Sequence, residues 1–174
     1  MRSLLAIGLM LLASACSTTT SLSTIGVSNQ HQPTARELVL FENRGDESQV
    51  RCLAENIYFE ARGSSRDDQI GVAQVTINRV LGGWAGDVCA VVWQRNRRGC
   101  QFSWTCDGIA DRIREERAFE RAQELAVAVL DGEIADNTNG ATHYYNPAKA
   151  RPRWRHAAYN VQPIGAHLYM NLNE

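Results

Sequence analysis

Between residues 47 and 83 the apolar side chains fall into two successive stripes of helical spacing, separated by a gap too short for anything but a turn. No other feature of the chain limits its fold as much. Val50, Leu53, Ala54, Ile57 and Ala61 form the first stripe, and Gly63 stands where a left-handed residue would close the helix. Ser65 followed by Asp68 has the form of a capping box, after which Ile70, Ala73, Ile77, Val80 and Leu81 form the second stripe, ending at Gly82-Gly83. Two helices joined this tightly must lie against each other, so the core is built first from helix on helix.

The remainder adds a smaller amount of sheet. Asp87 can cap a short third helix bearing Val88, Val91 and Val92. Residues 100–106 alternate, with Cys100, Phe102, Trp104 and Cys106 on one side and Gln101, Ser103 and Thr105 on the other, and Asp107-Gly108 as a turn, which reads as a half-buried strand. A long helix follows over residues 113–131, with Ala118, Ala122, Leu125, Ala126 and Val129 facing inward and Gly132 closing it. Thr142 to Tyr145, stopped by Asn146-Pro147, and Ile164 to Met170 are short strand candidates. The class is α+β, mainly helical with a small sheet and without internal repeats.

The N-terminus carries a processing signal. Arg2, an apolar run from Leu4 to Leu12 too short to span a bilayer, and Ala13-Ser14-Ala15 make residues 1–15 a signal peptide. Cys16 follows, and Leu12-Ala13-Ser14-Ala15-Cys16 resembles a bacterial lipobox, in which the cysteine is lipidated; processing by an ordinary signal peptidase is the alternative. Residues 16–45, rich in Ser, Thr, Asn and Gln, read as a flexible polar tether, which leaves residues 46–174 as the domain. At about 130 residues that domain can bury one core. An exported protein, periplasmic and anchored to the outer membrane if Cys16 is lipidated, meets an oxidising compartment. There Cys52, Cys89, Cys100 and Cys106 are expected to form two disulfides. Three pairings are open, and an extended strand would hold Cys100 and Cys106 about 20 Å apart, so their pairing would need a tight bend.

A net charge of -1 carries no electrostatic footprint of a nucleic-acid binder. The one local excess, Lys149, Arg151, Arg153 and Arg155, reads as a solvated face, with Trp154 packing on the domain while the arginines meet wall carboxylates as a weaker reading. Glu60 stands out because it lies seven residues after Leu53 and three after Ile57, on the apolar stripe of its own helix. Burial there would raise its pKa, and a carboxyl group that keeps its proton near neutral pH is what a glycosidase needs to protonate a leaving oxygen. The competing reading is a buried ion pair with Arg62, Arg79 or another arginine; Glu55, on the opposite face, is expected in solvent. Gln101, Ser103 and Thr105 could line a groove for a sugar chain, against an ordinary solvent-facing strand; His143 and Tyr144, beside a turn, could orient a sugar or leaving group. Phe102 and Trp104 are expected in the core.

Several motifs occur together and in order: residues 53–63 (LAENIYFEARG), residues 77–80 (INRV), Val88-Cys89, residues 100–108 (CQFSWTCDG), residues 141–145 (ATHYY), Pro152-x-Trp154 and Ile164-Gly165-x-His167. Over residues 51–170 they resemble the SleB-type cell-wall hydrolase domain of the spore-cortex-lytic family, which also has Gram-negative members. Ser64-Ser65 depart from the acidic residue commoner after the Glu-Ala-Arg-Gly motif. The resemblance implies a compact lysozyme-like domain that cuts peptidoglycan glycan strands between N-acetylmuramic acid and N-acetylglucosamine as a lytic transglycosylase, with Glu60 as the single acid and base. It implies no cofactor or metal. A hydrolytic variant would need a second carboxylate, for which Asp107 is the candidate. The lipobox and tether look more like a Gram-negative envelope protein than a cortex enzyme, and a monomer is expected. Two other readings compete: a zinc amidase using His143, His156 or His167, weakened by the absence of a tight ligand motif, and a lipoprotein that binds peptidoglycan without cutting it.

Overall fold

The computed structural model describes residues 33–97 and 99–173. Residues 1–15, read as a signal peptide, Cys16 and most of the segment read as a tether lie outside the described residues. The last part of that segment is not a tether. Helix α1 (Ala35–Asn43) begins at a full capping box, in which the Thr34 hydroxyl and the Glu37 carboxylate each accept the other's backbone N–H. Its Leu40 and Asn43 are buried, and Arg36 donates to the side chains of Gln74 and Asn78. Nine residues with one short apolar run are too few to show a helical period, so contacts with the domain decide this helix.

Helices α2 (Glu47–Ala61) and α3 (Arg66–Leu81) match the two stripes, with Asp46 and Ser65 as N-caps. The junction between them is closed differently from expectation. Gly63 is not in a left-handed conformation; instead the Gln69 amide donates to the carbonyls of Ala61 and Ser64 at 3.1 and 3.3 Å, doing the work of a C-cap from the next helix. The capping box at Ser65 is only half formed. Ser65 Oγ accepts from Asp68 N at 3.4 Å, while the Asp68 carboxylate is taken by distant groups.

Helix α4 (Val88–Val92), capped by Asp87, and helix α5 (Glu116–Leu130) complete the helical layer. Leu53, Ile57, Ile77, Val88, Val91, Leu125 and Val129 form its core, all close to zero exposure. Three polar residues cross this core as a satisfied chain: Trp104 Nε1 donates to Asn56, Asn56 to Thr76, and Thr76 to the Val72 carbonyl. A disulfide joins Cys52 of α2 to Cys89 of α4, with Cα atoms 5.3 Å apart.

The strand expected over residues 100–106 does not exist. Strands β1 (Arg95–Asn96) and β2 (Gly99–Cys100) form a minimal hairpin, and Ser103–Cys106 is a 3-10 turn that brings Cys106 back to a disulfide with Cys100, Cα to Cα 6.1 Å. The alternation of residues 100–106 arises from a turn whose bulky members, Phe102 and Trp104, both face the core, not from a pleat. The second sheet has three antiparallel strands in the order β3 (His143–Tyr145), β5 (His167–Leu172), β4 (Ala158–Ile164). Residues 164–170, read as one strand, contain the β4–β5 turn at Gly165. Strand β4 exposes much of its length and so lacks the apolar alternation that would have marked it.

This sheet is fastened to the start of α3. Gly165 has φ 57°, and a Cβ there would stand 2.6 Å from the Asp68 Cβ, so only glycine lets the hairpin close over the helix. The next residues complete the joint: Ala166 N donates to Asp68 Oδ2 at 3.1 Å, His167 Nδ1 lies 2.9 Å from the same carboxylate, and the Tyr169 hydroxyl donates to Asp68 Oδ1 at 2.7 Å.

Candidate active site

Glu60 sits in the last turn of α2, on the stripe facing inward, and opens into a cleft of about 840 Å³. The cleft runs between the helical layer, the loop of β1, β2 and the 3-10 turn on one side, and β3 with the segment up to Trp154 on the other. Among the described residues that line it, Glu60 is the only carboxylate. Burial raises the Glu60 pKa above that of an ordinary glutamate; Tyr144, His167, Arg79 and Lys149 pull in the opposite direction, but less strongly. No ion pair to Glu60 forms among the described residues. Arg62 instead pairs with Glu115 at 3.0 Å, and Glu55, expected free in solvent, is paired with Arg51 at 2.8 Å.

Beside Glu60, the buried Nη1 of Arg79 has no hydrogen-bond partner, and the buried Tyr144 hydroxyl is turned toward the Glu60 carboxyl group. Arg79 is 5% exposed, clamped between the rings of Trp84 and Phe102 at 5.0 and 4.9 Å, with its Nε donating to the Thr142 carbonyl at 2.8 Å. Burial lowers its pKa to about 10, so it remains a cation at neutral pH. Burial, reinforced by the Glu60 charge, pushes the Tyr144 phenol well above its usual value, so it stays a hydrogen-bond donor. Both residues line the cleft next to the carboxyl group, an arrangement of polar groups suited to a polar ligand.

Tyr144 is placed by pairing: it faces Tyr169 across β3 and β5, with ring centroids 5.5 Å apart, and its ring edge meets His167 at 5.2 Å. The hydrogen bonds of His167 and Tyr169 to Asp68 therefore carry the anchoring at α3 through to Tyr144. Burial works to raise the Asp68 pKa, but the hydrogen bonds from His167 and Tyr169 outweigh it and hold the group ionised. On the other flank, Asn78 donates to Asp136 and to the Ala141 carbonyl, fixing the loop that enters β3.

Of the residues read as a polar strand face, Gln101 and Ser103 do line the cleft. Thr105 does not. In the 3-10 turn its hydroxyl bonds back to the Phe102 carbonyl at 2.9 Å, a self-contained turn contact that removes it from the proposed row. His143 lines the cleft between Trp84 and Trp154, ring centroids at 5.2 and 5.4 Å, and burial lowers its pKa to about 4, so it is neutral in the working range. Phe102 is both a core residue and a cleft wall. Asp107 is exposed, caps Ile109 N at 2.8 Å and does not line the cleft. The three histidines of the amidase reading are not gathered: His143 is in the cleft, His167 is bound to Asp68 and His156 is exposed.

Sequence reasoning missed Arg79 and Trp84 as parts of the site, along with Arg95, Asp68 and Tyr169. Asp68 looked like a helix-cap residue, and Arg79 entered only as a possible partner of Glu60. The one available signal was the Ile164-Gly165-x-His167 motif, whose glycine marks a close approach.

Residues 63–170 match the model of the cell wall hydrolase family. The chain belongs to that family. The matched span begins just after Glu60 and contains Arg79, Gln101, Ser103, His143 and Tyr144. The curated spore cortex-lytic enzyme of Halalkalibacterium halodurans is 28% identical over 126 residues, covering 72% of this chain and 35% of that protein. The spore cortex-lytic enzyme of Bacillus subtilis is 26% identical over 121 residues, covering 69% of this chain and 36% of that protein. The chain thus spans about a third of the length of each of these two relatives. Among solved structures, the catalytic domain of the germination-specific lytic transglycosylase SleB from Bacillus anthracis superposes with a TM-score of 0.56 at 25% identity, covering 72% of this chain and 95% of that one. The catalytic domain of SleB from Bacillus cereus gives 0.57 at 24% identity, covering 74% and 96%, and shares the fold. The α+β class expected for this cell wall hydrolase agrees with both.

Proposed function

We propose that this cell wall hydrolase cuts the glycan strands of peptidoglycan between N-acetylmuramic acid and N-acetylglucosamine as a lytic transglycosylase, with Glu60 as the reacting group. The observation that carries this reading is a single carboxyl group, its pKa raised by burial, in a cleft that sets the buried Arg79 and Tyr144 beside it. Glu60 gives its proton to the glycosidic oxygen as the C1–O bond of muramic acid breaks. The resulting carboxylate then takes the proton of the muramic acid 6-hydroxyl as that oxygen closes on C1, which leaves a 1,6-anhydro end and restores the acid. No water is consumed and no second carboxylate is required; Asp107 stands outside the cleft and does not offer one.

The Tyr144 hydroxyl and Arg79 Nη1 hold sugar oxygens on the Glu60 side, while Gln101, Ser103 and His143 contribute further contacts along the walls. The likeness to a lytic transglycosylase catalytic domain supports the reading. Its setting is the periplasm, after removal of residues 1–15, with Cys16 lipidated and holding a monomer at the outer membrane.

The test is digestion of purified sacculi followed by mass spectrometry. The wild type is expected to release anhydro-muropeptides, and Glu60→Gln, which keeps the shape but not the proton, is expected to release none. Free reducing ends would replace transglycosylation by hydrolysis. Full activity in Glu60→Gln would overturn the role of this residue, and binding to sacculi without soluble products would leave a scaffold protein.

A further inference from the structure

The two walls of the cleft share a property that cutting a neutral sugar chain does not require. Residues 94–106 on one side contain no Asp or Glu and carry Arg95, Arg97 and Arg98; residues 141–157 on the other contain none either and carry Lys149, Arg151, Arg153 and Arg155. The chain as a whole has 19 acidic and 18 basic residues, so its acidic groups lie elsewhere. Arg95 is exposed and lines the cleft. Lys149 is near enough to act on the charge of Glu60, and Arg153 adjoins Trp154, which lines the opposite wall at 37% exposure. Arg155 is turned back onto the carbonyls of Arg151 and Pro152, but Lys149, Arg151 and Arg153 form no ion pair among the described residues. Cations left unpaired on both rims of a groove focus the field on a ligand that carries negative charge.

We propose that these rims, chiefly Arg95, Lys149 and Arg153, bind the free carboxylates of the peptide stems, so that the cleft selects peptide-bearing glycan over bare glycan. The inference rests on the glycan-cleaving reading above and adds a second recognition element to it. A stem attached to the muramic acid in the cleft leaves the sugar plane and must pass over one rim, where its carboxylates meet guanidinium or ammonium groups. Exposed pairs of this kind act mainly on association and are screened by salt.

The experiment compares kcat/KM on soluble glycan strands of matched length, with stems intact and after enzymatic removal of the peptides. The wild type is expected to prefer peptide-bearing strands about tenfold at low salt, with the preference shrinking at 0.5 M salt. Arg95→Gln/Lys149→Gln/Arg153→Gln is expected to bring the ratio within about twofold of one, while the charge-retaining Arg95→Lys/Lys149→Arg/Arg153→Lys keeps it. Equal cleavage of both substrates by the wild type, or an undiminished preference in the neutralised triple variant, would overturn this inference and leave the catalytic reading standing. Cleavage of neither substrate would overturn both.

Discussion

The joint between α3 and β5 can be tested with a single methyl group. Gly71 lies inside α3, and a Cβ at this position would stand 2.6 Å from Cζ, 2.7 Å from the hydroxyl and 2.9 Å from Cε1 of Tyr169. Optimal carbon contacts are about 3.5–4.0 Å, so the ring must move by about an ångström. Tyr169 has no exposure, and its hydroxyl shares its one proton between Asp68 Oδ1 at 2.7 Å and the Asp68 carbonyl at 2.8 Å. Gly71→Ala gains about 1 kcal/mol from helix propensity. Against this stand about 1–3 kcal/mol for overpacking and about 1.5–3 kcal/mol for a weakened hydrogen bond to a charged carboxylate. The net expectation is a loss of about 1.5–5 kcal/mol, read by differential scanning calorimetry as a fall in Tm of about 5–17 °C. Gly63→Ala is the control, since no atom lies within 4 Å of a Cβ there and its φ is ordinary; its Tm should stay within about 2 °C of wild type. Because Tyr144 packs on Tyr169, glycan cleavage by Gly71→Ala should fall more than its folded fraction does. A Gly71→Ala protein that melts at or above the wild-type temperature would refute the close packing on which this placement of Tyr144 depends.

Three further expectations follow from the same geometry. Glu60 must be protonated to act as acid and its pKa lies above the ordinary value, so kcat/KM should fall as pH rises through that pKa; Arg79→Gln, which removes a charge favouring the carboxylate, should move this fall to higher pH, and an unmoved profile in a variant folded by circular dichroism would show that Arg79 does not act on Glu60. For the disulfides, loop-closure entropy gives about 4 kcal/mol for Cys52–Cys89, separated by 37 residues, and about 2.4 kcal/mol for Cys100–Cys106, separated by 6, so urea unfolding of the paired serine variants should rank them in that order. The Asp68 pKa is lowered in the folded state, so its contribution is present above the unfolded carboxyl pKa and lost as pH falls through the folded one; Asp68→Asn should cost about 2–3 kcal/mol at neutral pH, and the gap in Tm from wild type should narrow in acid, whereas a constant gap would mean the charge plays no part.

Much of the helical layer was legible because periodicity is a local property. The stripes ending at Ala61 and Leu81, the caps at Ser65 and Asp87, and the inward turn of Glu60 all follow from spacing within one helix. The segment 100–106 was misread for a physical reason: alternation over seven residues looks like a pleat, but a 3-10 turn with two aromatic anchors repeats the same pattern while bending the chain enough for Cys100 to reach Cys106. Strand β4 went unseen because an exposed edge needs no apolar face.

By itself the sequence determined the two-helix frame, the α+β class, the even set of oxidisable cysteines after Cys16 and a carboxyl group placed where burial would raise its pKa. Only the tertiary structure decided which groups surround that carboxylate. Arg79 and Tyr144 come from elements more than sixty residues apart, and Tyr144 is held in place through β5, whose His167 and Tyr169 are bound to Asp68 at the start of α3. Such a contact depends on how sheet and helix close over one another, and residue spacing along a single element carries no record of it.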